Sequence, residues 1–192
     1  GNLAVELYDA PIADGVAHRL EGEFNRLNVA AAMAVGRYFG VDEERIRDAI
    51  AAYRPENNRS QRQRTACNTL IVDCYNANPS SMQASLANFL SEEAAGGKVA
   101  VLGDMLELGA WSEAEHRAVI EQALSGDVER LWLVGAEFAG AWRAMRCADK
   151  RVRLFAVCDD AAAVLREEPF TGKLILVKGS HGIGLERLIG LL

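Results

Sequence analysis

A chain of 192 residues, half of them hydrophobic and a quarter charged, has the composition of a soluble globular protein, with room for one medium domain and part of another. Its net charge of −6 argues against a nucleic-acid or acidic-membrane partner, because phosphate surfaces call for a basic face. No apolar run nears the roughly 20 residues that span a bilayer, and no basic-then-apolar amino terminus marks a signal peptide, so the expected compartment is the cytoplasm.

The sequence opens at Gly1 inside an alternating apolar stretch (Leu3, Val5, Leu7), as expected of a chain cut from something longer. The alanine-rich run Asn25–Phe39 predicts a helix that stops at Gly40. Asp42 is placed to cap a second helix, with Glu43 and Glu44 in its first turn near the positive end of the helix dipole. Ile46, Ala49, Ile50 and Tyr53 recur at helical spacing and predict one buried face. Arg54–Arg64 then carries Pro55, two asparagines and four arginines with almost nothing apolar. That is linker composition, so the expected organisation is residues 1–53, a hinge at 54–64 and a domain over 65–192.

From there the pattern becomes regular. Short apolar runs at Thr69–Cys74, Lys98–Leu102, Leu131–Gly135, Val152–Val157 and Lys173–Lys178 predict strands. Amphipathic helical stretches separate them, near Ser80–Leu90, Glu113–Leu124, Glu137–Met145 and Ala161–Glu167, with a last one at Gly184–Leu192. Apolar strands alternating with helices require crossover connections and a parallel sheet covered on both faces. The expected fold class is α/β: a Rossmann-like, doubly wound, mainly parallel sheet of about five or six strands.

Ligands of such sheets bind beyond the carboxyl ends of the strands, where loops enter helix amino termini. Four loops qualify: Asp73–Ser81, Gly103–Ser112, Gly135–Phe138 and Lys178–Gly184. In the first, Asn78-Pro79 reads as a helix start, with the amide as cap and proline in the first turn. Asp73, Tyr75 and Asn76 are left at the sheet mouth; such an aspartate suits ribose hydroxyls and such a tyrosine suits a base, although strand-end aspartates often only cap turns. In the second, Ser112-x-x-Glu115 reads as a capping box. Asp104 and Glu107 are expected as turn and solvent residues more than as cation ligands, and His116 as a packed or solvated side chain. Lys178-Gly179-Ser180-His181-Gly182-Ile183-Gly184 offers an anion a compact charge and glycines that permit close approach. The cysteines (Cys67, Cys74, Cys147, Cys158) are scattered with no histidine cluster nearby, so no metal site is expected, only reduced and mostly buried thiols.

Asp73–Met82 with its Tyr-Asn-Ala-Asn-Pro core, Gly103–Gly109 and Lys178-Gly179-Ser180 resemble, in order and spacing, the carboxyl-terminal domain of the Mur ligases, in particular those adding D-alanyl-D-alanine to UDP-N-acetylmuramoyl-tripeptide. Upstream, Gly22-Glu23-Phe24-Asn25-Arg26-Leu27-Asn28 is similar to the motif closing that family's central ATP-binding domain. The resemblance implies an ATP-dependent peptide ligase of peptidoglycan precursor synthesis, working through an acyl phosphate with magnesium. It implies nucleotide contacts for Asn25, Asn28, Arg59, Asp73 and Tyr75. It implies contacts to the dipeptide or acyl phosphate for Asn76, Asn78, Lys178 and Ser180. Phe24 stands where the family usually has histidine, and His181 where arginine is common.

The phosphate-cradling signature Gly-x-x-x-x-Gly-Lys-[Ser/Thr] does not occur in the sequence. The two Gly-Lys pairs, Gly97-Lys98 and Gly172-Lys173, lead straight into strands. The resemblance therefore implies that the UDP-substrate domain and most of the ATP- and Mg2+-binding domain belong to absent parts of the same polypeptide, and that this chain alone is inactive. Two other readings predict different things: a sister ligase for another amino acid, and a non-catalytic nucleotide-binding module that needs no missing partner.

Overall fold

Strands buried on both faces need uninterrupted apolar runs; the second part of this chain supplies four of them and a fifth, Val152–Val157, broken by Arg153. The computed structural model describes residues 8–20, 25–54 and 61–192, and the chain divides into two compact units, Gly1–Pro55 and Glu56–Leu192. The sheet of the second unit consists of β1 (Gln61–Arg64), β2 (Thr69–Asp73), β3 (Lys98–Gly103), β4 (Val128–Val134), β5 (Val152–Phe155) and β6 (Leu174–Lys178), in spatial order β1-β2-β6-β3-β4-β5. β1 runs antiparallel to β2, and every other neighbouring pair is parallel. Crossovers are made by α3 (Pro79–Ser91), α4 (Ser112–Ser125), α5 (Ala136–Ala144) and α6 (Cys158–Glu167). The expected α/β, mainly parallel architecture is the observed one.

Strand periodicity divides the apolar side chains between two cores. In β2, Leu70 and Val72 belong to one layer and Ile71 to the other. The first layer, with Trp132, Val177 and Leu188, lies under α6 and the carboxyl-terminal turns; the second, with Phe89, Leu133 and Phe138, lies under α3, α4 and α5. Each fully buried side chain of this size contributes on the order of 1.5–3 kcal/mol relative to exposure.

Three segments of this unit depart from expectation. Gln61–Arg64, read as linker, forms an edge strand whose residues alternate between half-buried and exposed. An edge strand has one free flank, so polar and charged residues are the usual choice there. β4 begins at Val128, because Glu129 and Arg130 extend into solvent before the apolar run. The carboxyl-terminal helix is a 3-10 helix, Leu185–Leu191, entered through a left-handed Gly184 (φ 75°) and burying Leu185 and Leu188.

In the first unit, α1 (Asn25–Tyr38) and α2 (Glu43–Ala52) pack with a 3-10 turn at Ala10–Ala13, burying Val29, Met33 and Ile46. Asp42 caps α2 as expected, accepting the Glu44 amide at 2.9 Å. The buried face of α2 is narrower than its periodicity predicts: Ile46 is buried and Ile50 partly so, while Ala49 and Tyr53 are exposed. So small a unit offers few partners to cover the rest of that face. The stretch Leu3–Leu7, Phe24 and Arg59 lie outside the described residues. No helix among the described residues is long and apolar enough to cross a membrane.

All four cysteines are free, but only Cys74 and Cys158 are buried; Cys67 and Cys147 are exposed. The expectation of mostly buried thiols therefore holds for half of them. Burial pushes the Cys74 thiol up to about 12 and also raises Cys158, so neither is a nucleophile near neutrality. Alkylation of the native protein at neutral pH, followed by peptide mapping, should label Cys67 and Cys147 and spare Cys74 and Cys158 until denaturant is added.

Candidate active-site mouth at the carboxyl ends of β2, β3 and β6

Asp73 ends β2, and the chain must turn there into α3. Asn78 makes that turn: its side chain accepts the Ser81 amide at 2.9 Å, Ser81 returns the bond in a capping box, and Pro79 occupies the first turn. The amide oxygen also accepts the Ser80 hydroxyl at 2.9 Å. Tyr75 and Asn76, on the connecting segment, are exposed.

Asp73 and Lys178 are register partners at the ends of neighbouring parallel strands. The Lys178 ammonium donates to the Asp73 carboxylate, which also accepts the Ser85 hydroxyl of α3 at 3.2 Å. Lys178 is 1% exposed, so its charge acts on the mouth through Asp73 and not directly. Above this pair the Tyr75 ring stacks on His181, centroids 5.9 Å apart and planes 26° from parallel. His181 Nδ1 lies 3.9 Å from Glu186, and its ring extends the aromatic surface begun by Tyr75.

The loop after β3 is organised by Asp104. Its carboxylate is buried and accepts the amides of Glu137 and Phe138, both at 2.9 Å, capping α5 from a different loop. Burial holds its carboxyl above the ordinary aspartate value, and the two amides partly offset that shift. The expectation of a turn and solvent residue is corrected here: Asp104 is an internal cap. Glu107 is the turn residue, exposed and left-handed (φ 67°). The Ser112 capping box is not formed either. A 3-10 turn at Gly109–Trp111 leads straight into α4, and the Ser112 hydroxyl contacts His116 and Glu137.

Ser180 is buried beside this loop. Its hydroxyl accepts the Leu106 amide at 3.0 Å, and its own amide donates to the Asp104 carbonyl at 3.1 Å. Gly179 permits that approach, since a Cβ there would sit 2.8 Å from Gly103 Cα. Asp73, Tyr75, Asn76, Asn78, Lys178 and Ser180 are thus all carried by the strand ends and loops of one unit. Asn25 and Asn28 belong to the first unit, where Asn28 donates to the buried Asn25 at 2.8 Å.

The acceptor Asp73 beside the exposed Tyr75 ring fits a nucleoside, one group for hydroxyls and one for a planar face. A divalent cation is a different matter. Among the described residues no three His, Cys, Asp or Glu side chains come together, and Asp104 is committed to backbone amides. A cavity of about 460 Å³ lies at the opposite end of the strands, lined by Arg64, Asn68, Glu92 and Lys173, with Arg62 and Lys173 already paired to Glu92 and Glu129.

A family model described as "Mur ligase, glutamate ligase domain" matches residues 58–181. The UDP-N-acetylmuramoyl-tripeptide–D-alanyl-D-alanine ligase of Treponema pallidum is 37% identical over 177 residues, covering 90% of this chain and 38% of that protein. A crystal structure of MurF from Acinetobacter baumannii superposes with a TM-score of 0.76 at 27% identity, covering 90% of this chain and 39% of that one. MurF ligase from Thermotoga maritima in complex with ADP shares the fold, with a TM-score of 0.70 at 23% identity over 90% of this chain and 38% of that one. The chain thus spans about two-fifths of the relatives it matches. With the family model covering well over half of its length, the chain belongs to the Mur ligase family, and its sheet domain is that family's carboxyl-terminal domain.

Proposed function

We propose that this chain is the carboxyl-terminal part of an ATP-dependent ligase that joins D-alanyl-D-alanine to UDP-N-acetylmuramoyl-tripeptide in the cytoplasm. The observation that carries the reading is the mouth itself. The loops resembling the dipeptide-adding ligases hold Asp73, Tyr75, Asn76, Asn78 and Ser180 at the carboxyl ends of neighbouring strands, where α/β sheets take their ligands.

In this reading Asp73 accepts ribose hydroxyls and Tyr75 lies against the nucleoside. The buried Lys178 donates to the Asp73 carboxylate and holds it in place. Asn76, Asn78 and the Ser180 hydroxyl face the incoming dipeptide and the acyl phosphate, where positioning the amine and neutralising developing negative charge lower the barrier. Asn25 and Asn28 serve the nucleotide from the end of a central ATP-binding domain, and Arg59 serves its phosphates from the hinge that follows. Magnesium, which neutralises phosphate charge when bound, is assigned mainly to the part of the central domain outside this chain.

The test uses the full-length gene product with ATP, magnesium, UDP-N-acetylmuramoyl-tripeptide and D-alanyl-D-alanine. Release of ADP should depend on the dipeptide, and L-alanine, D-glutamate or lysine in its place should give none. The present chain alone should release no ADP. A full-length protein that uses a single amino acid in preference to the dipeptide overturns the substrate, and ADP release by the isolated chain overturns its assigned incompleteness.

A further inference from the structure

His116 is given no ligand contact in the mouth, yet its surroundings tie it to Ser180. The ring is fully buried in the first turns of α4, with Phe138 packed edge-on at 4.5 Å. Nδ1 lies 2.7 Å from the Ser112 carbonyl oxygen, and Nε2 lies 3.0 Å from the Met105 backbone nitrogen. A carbonyl only accepts and a backbone N–H only donates, so Nδ1 carries the proton and Nε2 the lone pair. Both ring nitrogens are therefore committed, and the buried Asp104 carboxylate lies 3.9 Å from Nε2.

The residue it grips is the centre of a short run. On one side of Met105, the Asp104 carbonyl accepts the Ser180 amide at 3.1 Å. On the other, the Leu106 amide donates to the Ser180 hydroxyl at 3.0 Å. That hydroxyl accepts from Leu106 and so keeps its own proton to give. Residues 104–106 therefore fix both the main chain and the hydroxyl of Ser180, and His116 fixes the middle of that run from the helix beneath. A side chain that only filled volume would not need both polar contacts at these distances.

We infer that His116 is a positioning residue of the ligase: by holding the Met105 amide it sets the backbone that aims the Ser180 hydroxyl at the acyl acceptor. The inference rests on the proposed role of the mouth. It distinguishes two groups of residues, because Asp73 and Tyr75 are carried by β2 and its loop and meet the Ser180 segment only at Lys178 and the His181 ring, outside the hydrogen bonds that His116 anchors. Loosening the 104–106 run should therefore weaken use of the dipeptide and leave use of ATP alone.

Two variants of the full-length enzyme divide the ring's two contacts. Asparagine places its amide nitrogen where Nδ1 sits but stops short of Met105. Glutamine carries a carbonyl oxygen out to the place of Nε2. The expected result is that His116→Asn and Ser180→Ala each raise the KM for D-alanyl-D-alanine by about tenfold, while the KM for ATP stays within about twofold. His116→Gln should restore the dipeptide KM to near the wild-type value. Equal behaviour of the Asn and Gln variants overturns the inference, as does a parallel rise in both KM values. A His116→Asn protein that loses its fold, beside a His116→Gln protein with the same altered dipeptide KM, overturns it too, because the ring would then serve stability alone. If Ser180→Ala leaves the dipeptide KM unchanged, the proposed reading of the mouth fails and the inference falls with it. If Ser180→Ala raises that KM and His116→Asn does not, only the inference falls.

Discussion

Replacing Lys178 with methionine is expected to destabilise the sheet domain by about 3 kcal/mol, the lower end of the range for removing one partner of a buried ion pair. Methionine nearly matches the volume of the lysine stem, so the central strand β6 keeps its packing and the loss reports on charge. The Lys178 ammonium lies on the Asp73 carboxylate, and the two side chains are only 1% and 13% exposed. Without the ammonium, the Asp73 carboxylate keeps the Ser85 hydroxyl at 3.2 Å among its contacts but loses the charge of Lys178. That remaining contact and the partial exposure of Asp73 are why the lower figure is expected. The double variant Asp73→Asn/Lys178→Met should recover most of the loss, since it removes the carboxylate charge together with its ammonium partner. Urea unfolding of the four proteins of this cycle measures the coupling. A loss below about 1 kcal/mol for Lys178→Met, with additive effects in the double variant, would show that the pair is not coupled.

The pair also marks a limit of what the sequence makes legible. Strands β2 to β6 are readable because a sheet covered on both faces needs runs such as Leu70-Ile71-Val72 and Leu174-Ile175-Leu176-Val177, and few other structures do. The start of α3 is readable because Asn78 and Pro79 act on their immediate neighbours. Lys178 and Asp73 are 105 residues apart and meet only because β6 inserts between β2 and β3. No local pattern states that strand order. A lysine at a strand end therefore reads as a free charge facing a ligand, whereas it lies beneath the mouth and holds the aspartate that faces it.

Other departures have the same origin. Ser112-x-x-Glu115 carries the letters of a capping box, but the Gly109–Trp111 turn already satisfies the entry to α4, and Ser112 turns to Glu137 and His116. Gln61–Arg64 has no apolar run because an edge strand with an exposed flank does not require one. Asp104 looks like a loop acid because the helix it caps begins 32 positions later, at Ala136. In each case the partner that decides the residue's role is distant in sequence. The roles written in neighbouring residues could be read, and those written in the sheet's order could not.

The remote cap predicts the other large effect, at Gly135. This residue joins β4 to α5 with φ 124°, a conformation L-residues rarely adopt, and a Cβ there would lie 2.1 Å from Asp104 Oδ2. Gly135→Ala therefore meets two costs together. The backbone is strained, and the carboxylate is driven away from the amides of Glu137 and Phe138, which it accepts at 2.9 Å. The Phe138 amide is buried and α5 has no side-chain cap of its own, so the displaced bonds are not readily replaced by water. The expected loss is about 3–5 kcal/mol, the sum of strain and an unsatisfied buried donor. Gly140→Ala, one turn along the same helix, is the internal control. Its added Cβ meets nothing within 4 Å, and alanine in an exposed helical position should stabilise by about 0.5–1 kcal/mol. Urea unfolding midpoints that move in opposite directions for the two variants would establish that the Gly135 effect comes from the Asp104 contact and the left-handed backbone. Equal small shifts would mean that Asp104 can cap α5 from another position.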